Sequence, residues 1–174
     1  MWVRVDQIGS KISLSQQAKR VVMFRGANSL SLDDKGRFSI PTRYRQPLLS
    51  EEQGAVICTI AINEPCLWLY PLSEWREIES RLQRLSNTNP RVRRWQRMLL
   101  GHAEEYQLDK NGRILLAPTL RAHAGLGKKL MLVGLLNKFE IWDEARWYEQ
   151  MQADTEIERS GDVEACPELD DFSL

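Results

Sequence analysis

The chain has 174 residues, of which 43% are hydrophobic and 28% are charged, and its 24 basic and 24 acidic residues cancel to a net charge of zero. This composition is typical of a globular protein with one domain or two small ones, and it excludes a largely disordered chain. The longest apolar runs, 55–62 and 130–136, are much shorter than the roughly 20 residues of a membrane-spanning helix, so we expect no membrane segment.

The first 22 residues differ in character from the rest. They carry a net charge of +3 and contain neither the continuous apolar core of a secretion signal nor a core-forming periodicity. We therefore interpret 1–22 as an N-terminal extension, disordered or preceding a natural start at Met23. Without a secretion signal, the protein is expected in the cytoplasm.

Short strands and turns begin at Met23. Strands at 29–32 and 38–40 flank the turn Asp-Asp-Lys-Gly, and Lys-Gly supplies residues that tolerate the positive φ of a tight turn. We predict a β-hairpin here, followed by a short helix that begins at Pro41. Two further strands follow at 55–61 and 67–70.

An amphipathic helix and an arginine-rich insert come next. The helix begins at Pro71, and Asn89-Pro90 in the insert is typical of a second helix start. We expect the arginines of that second helix on its exposed side, as a solvated face or a subunit contact, with a nucleic-acid surface as the alternative. We predict the tryptophans as core or interface residues. The predicted apolar stripe of the second helix is Val92, Trp95, Met98 and Leu99.

The same series of elements then recurs. Met23 to Gln46 aligns with Leu99 to Ala122 at a constant offset of 76 and without a gap. The second copy predicts its own hairpin and helices, and each copy alone is too small to bury a core. We therefore predict an α+β chain of two pseudo-symmetric units that pack on each other. The remaining predicted strands are 106–108, 114–116, 129–135 and 138–142, and the helices begin at Pro118 and Asp143.

The net charge of zero conceals segments of opposite charge. From Asp154 onward the chain carries −7, which leaves +4 for residues 23–153. We expect this acidic tail to be disordered beyond a helix end. It is either a solubilising end or a competitor for the basic surface of the body.

The repeated turns carry the candidate binding residues. In each copy an Asp lies four residues before an Arg across the turn, so the carboxylate can orient the guanidinium and leave donors free for a second partner. Guanidinium and ammonium groups suit phosphates and the acceptor edge of guanine. The alternative is that each Asp–Arg pair only stabilises its turn. The orienting carboxylates are Asp33 and Asp109, and the predicted DNA contacts are Arg37, Arg113, Lys35, Lys110, Arg43 and Arg45.

The sequence offers little support for catalysis. Its three cysteines lack metal or disulfide spacing, its two histidines stand in no metal-binding pattern, and it contains no P-loop, nucleophile elbow or dinucleotide fingerprint. We predict no enzyme activity, metal, cofactor or small-molecule substrate. We expect Cys58 to be a small buried strand residue.

Four segments point to a family: MFRGANSLSLDDKGRFSIPTRYRQPL, CLWLYPLSEW, RMLLGHAEEYQLDKNGRILLAPTLR and VGLLNKFEIWDE. From Met23 to about Gln152 the chain resembles MraZ, a family of bacterial transcriptional regulators built from two swapped-hairpin SpoVT-AbrB domains. The resemblance implies that both Asp-x-x-x-Arg signatures contact double-stranded DNA. It also implies a ring-shaped homo-oligomer in the nucleoid that represses its own division and cell wall operon through direct repeats in the promoter.

The resemblance also gives the expected domain limits, and the sequence of the second copy departs from the first at one position. Ala117 stands where the first copy has Pro41, so we expect the second hairpin to end in a different geometry. The alternative function is an oligomeric interaction scaffold without DNA contact, in which the turn arginines bind an acidic protein or another subunit. The predicted parts after the extension are domain 1 at 27–74, a helical connector at 75–102, domain 2 at 103–146 and a helix end with the acidic tail at 147–174.

Overall fold

The computed structural model describes residues 23–161, Cys166 and Leu169. The predictions for 1–22 and for the tail beyond Gly161 lie outside these residues. No helix in the described part of the chain is long and apolar enough to cross a membrane.

The protein is a mixed α+β fold, which confirms the predicted class. A short 3₁₀ turn, Glu52–Gly54, precedes the third strand. The strands are β1 Phe24–Ser31, β2 Arg37–Ser39, β3 Ala55–Ile60, β4 Leu67–Pro71, β5 Glu104–Gln107, β6 Arg113–Leu115, β7 Lys129–Leu136 and β8 Lys138–Asp143. The helices are α1 Thr42–Ser50, α2 Leu72–Gln83, α3 Pro90–Leu99, α4 Pro118–His123 and α5 Glu144–Ser160.

Strands from the two copies pair with each other in both sheets. Six strands form an antiparallel sheet in the order β1-β7-β8-β4-β3-β5, and β2 pairs with β6 in a separate two-stranded ribbon. The two predicted local hairpins are therefore wrong, because β1 pairs with β7, and β5 with β3, instead of with β2 and β6. The turns themselves form, but each leads from one sheet to the other. Exchanged pairing joins both copies around one core, whereas two isolated hairpins would be marginal.

The main core lies between the sheet, the ribbon and helices α1 and α4. Phe38 and Ile114 of the ribbon are 2% exposed and pack with Tyr44 of α1 and Leu120 of α4. Cys58 is fully buried in β3, as predicted. The two copies thus share this core, as their small size predicts.

A second, smaller cluster joins the sheet to α2 and α3. Trp75 and Leu82 of α2 pack with Leu99 at the end of α3. The predicted start of α3 is confirmed, since Asn89 accepts a hydrogen bond from the backbone N–H of Arg91. Trp95 is 39% exposed, so it is not a core residue, and of the two predicted roles the interface one stays a prediction for this tryptophan. It lies about one turn before Leu99 on α3, and its own side chain stays partly open to solvent.

The two ribbon strands lead into their helices through the same backbone conformation. Pro41 has φ −53° and ψ 139°, and Ala117 has φ −57° and ψ 142°. The expectation of a different exit geometry at Ala117 is therefore wrong. An extended residue before a helix is accessible to alanine as well as to proline, so the substitution leaves the path unchanged.

Candidate nucleic-acid interface

The β2–β6 ribbon presents one arginine from each copy on the same face. Arg37 lies opposite Leu115, and Arg113 lies opposite Ser39, while Phe38 and Ile114 form the central pair. Because side chains alternate along a strand, burial of that central pair turns both arginines outward. Diagonal neighbours of this kind are about 7–8 Å apart. Arg37 and Arg113, two of the six predicted DNA contacts, thus belong to a single surface.

Asp33 orients Arg37 through one carboxylate oxygen. Asp33 Oδ2 accepts from Arg37 Nε at 2.7 Å and lies 2.7 Å from Nη2. Asp33 Oδ1 accepts from the backbone N–H groups of Lys35 at 3.0 Å and Arg37 at 2.9 Å. No acceptor among the described residues binds Arg37 Nη1, so that end of the guanidinium has donors available.

The second copy reproduces this geometry. Asp109 Oδ2 accepts from Arg113 Nε at 2.8 Å and lies 2.8 Å from Nη2. Asp109 Oδ1 accepts from the backbone N–H groups of Asn111 at 2.8 Å and Arg113 at 2.9 Å. Each turn is closed by a backbone bond, from Gly112 N to Asp109 O here and from Gly36 N to Asp33 O in the first copy, both 2.8 Å. Two equivalent guanidiniums are thus held by their own turns.

These contacts favour the ionised carboxylates. The backbone N–H of Arg37, with the guanidinium of the same residue, holds the pKa of Asp33 below its ordinary value. The backbone N–H and guanidinium of Arg113 do the same for the pKa of Asp109. Both pairs are partly exposed, so salt and solvent screen them. The two ion pairs therefore orient the guanidinium groups and contribute little to the stability of the fold.

The lowered pKa predicts how the turns respond to acid. A carboxyl whose pKa is lowered by folding contributes fully above its unfolded pKa, and the contribution disappears as the pH falls through the folded value. We expect carboxyl NMR titration to place Asp33 and Asp109 below the ordinary 3.8. Arg37→Ala should raise the pKa of Asp33 part of the way back and leave Asp109 unchanged. A parent chain in which Asp33 ionises at 3.8 or above would contradict this geometry.

Each turn is also packed against an arginine from the other copy. A Cβ at Gly36 would lie 2.7 Å from Arg121 Cζ, and a Cβ at Gly112 would lie 2.5 Å from Arg45 Cδ. Both glycines have positive φ, 84° and 69°, which favours glycine independently of the space. Arg45 Nε donates to Ile40 O at 2.7 Å. The equivalent Arg121 Nε is buried and has no partner among the described residues.

The remaining predicted residues occupy two different places. Lys35 and Lys110 are exposed in the two turns. Arg43 instead donates from Nη2 to Asn28 Oδ1 at 2.8 Å and lies 4.6 Å from the centre of the Tyr44 ring. It therefore packs beside β1 rather than against a turn.

Arg121 is not among the residues that the sequence predicted as DNA contacts. The signal was available, because the 76-residue offset aligns Arg45 with Arg121. The glycine that each arginine covers depends on the exchanged strand pairing. That pairing could not be inferred from the alignment.

One cluster in the described chain has the residue types of a metal site. Ligand atoms of Glu64, Cys66 and Glu140 all lie within 4.8 Å of one another. However, Glu140 accepts from the indole N–H groups of Trp68 at 3.2 Å and Trp142 at 3.0 Å. Burial raises the pKa of the Cys66 thiol, which disfavours the thiolate that metals bind. We assign this cluster to packing.

Comparisons with known proteins match most of the chain. A family model described as "MraZ protein, putative antitoxin-like" matches residues 23–98 and 99–166, two matches that begin 76 residues apart. The chain is 76% identical to the transcriptional regulator MraZ of Pseudoalteromonas translucida (strain TAC 125) over 152 residues, which are 87% of this chain and 100% of that protein. Over the same shares it is 58% identical to the transcriptional regulator MraZ of Idiomarina loihiensis and 55% identical to that of Enterobacter sp. (strain 638).

Proposed function

The chain belongs to the MraZ family, and on that premise we propose that it regulates transcription by binding DNA and has no catalytic step. Its relatives carry the name transcriptional regulator, which is not a class of enzyme. DNA is therefore the proposed partner. Of the possible binding surfaces, the β2–β6 ribbon fits DNA best.

One observation carries this proposal: Arg37 and Arg113 project from the same face of a two-stranded ribbon, each oriented by an aspartate. The major groove of B-DNA is about 12 Å wide and admits such a ribbon. An oriented guanidinium can donate two bonds to O6 and N7 of guanine. We propose Arg37 and Arg113 as the base contacts. The proposed phosphate contacts around them are Lys35, Lys110, Arg45 and, on the flank, Arg43.

The more specific parts of the proposed function rest on the resemblance to the family. We propose that the chain binds short direct repeats in the promoter of its own division and cell wall operon and represses it, in the cytoplasm at the nucleoid. One chain neutralises few phosphates, and non-specific affinity rises with their number. A ring of several chains would engage several of the DNA repeats at once and so raise the effective concentration of binding sites. We retain the division into domains 27–74 and 103–146, with the connector 75–102, as part of this proposal.

The proposal is tested by titrating the full chain into a fluorescently labelled fragment of its own promoter and following anisotropy. We expect tight binding that weakens steeply as salt rises, because counterions are released from neutralised phosphates. Scrambling the direct repeats should weaken binding by about 4 kcal/mol or more, the usual gap between specific and non-specific sites. Equal affinity for both fragments would contradict sequence-specific recognition. The absence of any salt-dependent binding would favour the scaffold alternative.

A further inference from the structure

The fold brings the two histidines of the chain together. His102 lies in the turn between α3 and β5, and His123 is the last residue of α4. Their ring centres are 5.8 Å apart, and the ring planes are inclined at 46°, so the rings are not stacked face to face. Both side chains are exposed. Their spacing along the chain matches no metal-binding motif, and the pair exists only in three dimensions.

The ring of His102 is fixed in one tautomer. Its Nδ1 lies 2.9 Å from the backbone oxygen of Met98, in the last turn of α3. A carbonyl oxygen only accepts, so in the neutral ring Nδ1 carries the proton and Nε2 keeps its lone pair. Histidines that bind metals usually have this arrangement, because donation to a backbone carbonyl orients the ring and makes the other nitrogen more basic. His102 thus presents an oriented nitrogen ligand.

Helix α4 holds His123 beside this ring. Leu120 of α4 is 1% exposed and Ala124 is 0% exposed, so the backbone on both sides of His123 is anchored in the main core. Within the residues that the structure describes, the His123 ring contacts the ring of His102 and takes part in no hydrogen bond or ion pair. The lone pair of its neutral imidazole is therefore available to an added ligand.

The separation of the two rings fits a single shared ion. Zn–N bonds are about 2.0–2.1 Å long, so two imidazoles on one tetrahedral Zn²⁺ have ring centres about 5 Å apart. The separation of 5.8 Å is slightly larger than this value. A small rotation of the exposed His123 side chain would close the difference, while the bond to Met98 keeps the His102 ring in place.

We propose that His102 and His123 together bind one divalent transition-metal ion of the Zn²⁺ class, with water completing its coordination. Imidazole suits Zn²⁺, Ni²⁺ and Cu²⁺, whereas Mg²⁺ and Ca²⁺ prefer oxygen ligands. The ion joins the turn after α3 to α4, whose Arg121 packs over Gly36 of the first turn. It therefore clamps the end of the connector to the second copy. The site lies outside the β2–β6 ribbon and goes beyond the proposed binding of DNA.

Isothermal titration calorimetry of the full chain, without an affinity tag, tests the pair with Zn²⁺ as the probe. We expect one Zn²⁺ per chain and no binding of Mg²⁺. His102→Ala and His123→Ala should each weaken Zn²⁺ binding by at least about tenfold, since even the loss of a group that only orients a ligand costs about 10–100-fold. With Cu²⁺ in place of Zn²⁺, electron paramagnetic resonance should show coupling to two imidazole nitrogens in the parent and to one in each variant.

Two control variants remove other potential ligands. Glu64→Gln takes a carboxylate from the cluster with Cys66 and Glu140, and Cys166→Ser removes a thiol; both should bind Zn²⁺ as the parent does. Circular dichroism checks that each variant is folded. No Zn²⁺ binding by the parent, full affinity in either folded histidine variant, or loss of binding in either control would overturn the inference. Since the titrations contain no DNA, their result does not depend on whether the chain binds its promoter.

Discussion

The Arg37→Ala/Arg113→Ala double variant should bind the promoter repeats about 2–6 kcal/mol more weakly than the parent chain, since each guanidinium contact to a base is worth about 1–3 kcal/mol. Arg37→Ala alone should cost about 1–3 kcal/mol. Because the two side chains are diagonal neighbours in the ribbon, their losses need not add. Anisotropy titrations of both single variants and the double variant would measure each loss.

Two controls make this prediction specific. Arg76→Ala removes the same charge from an exposed arginine on α2 that pairs with Glu52, and it should leave binding near the parent value. Asp33→Asn keeps the arginine but weakens its orientation, and it should lose discrimination between intact and scrambled repeats. If the folded double variant bound the intact repeats as well as the parent does, the ribbon would not be the DNA-reading surface.

The largest expected effect on stability comes from Gly134→Ala. Gly134 of β7 lies opposite Gly26 of β1, and a Cβ at Gly134 would meet Arg25 N at 2.5 Å and the carbonyl carbon of Phe24 at 2.7 Å. These are backbone atoms of the paired strand, so relief requires β1 to move from β7. Overpacking of this kind costs about 3 kcal/mol. Urea unfolding followed by circular dichroism measures it.

Gly161→Ala is the matched control for this substitution. Gly161 ends α5 with φ 71°, and a Cβ there would meet nothing within 4 Å. The change should cost only the backbone strain of about 1 kcal/mol. Equal losses for the two variants would mean that the close approach of β1 and β7 carries no special cost.

The repeat and its turns could be predicted from the sequence because their signals are local. The Asp–Arg pair depends only on a four-residue spacing across a glycine turn, and both pairs form. The strand partners could not be predicted from the residue pattern, and an exchange was expected only from the resemblance to swapped-hairpin domains. Phe38 and Ile114 offer the same central apolar residue in three-residue strands, so pairing within a copy and pairing between copies satisfy the pattern equally. Only the shared core distinguishes them.

The exposed tryptophan of α3 has a different explanation. Helical periodicity placed Trp95 in a stripe with Leu99, and that stripe exists. Periodicity says which residues share a face, but it does not say whether another element of the same chain covers it. Leu99 packs in the cluster that joins the sheet to α2 and α3, whereas Trp95 lines an open groove between these two helices. The sequence therefore predicts the apolar face of α3, but only the three-dimensional structure shows that part of this face is left uncovered.

The exchange of strands between the two copies determines how the ribbon responds when the protein is diluted. The ribbon takes β2 from one copy and β6 from the other, so two unlinked copies could build it only by meeting in solution. Here α2 and α3 join them covalently, and the meeting becomes intramolecular. The paired arginines therefore stay assembled at any protein concentration, even where the oligomer has dissociated into single chains.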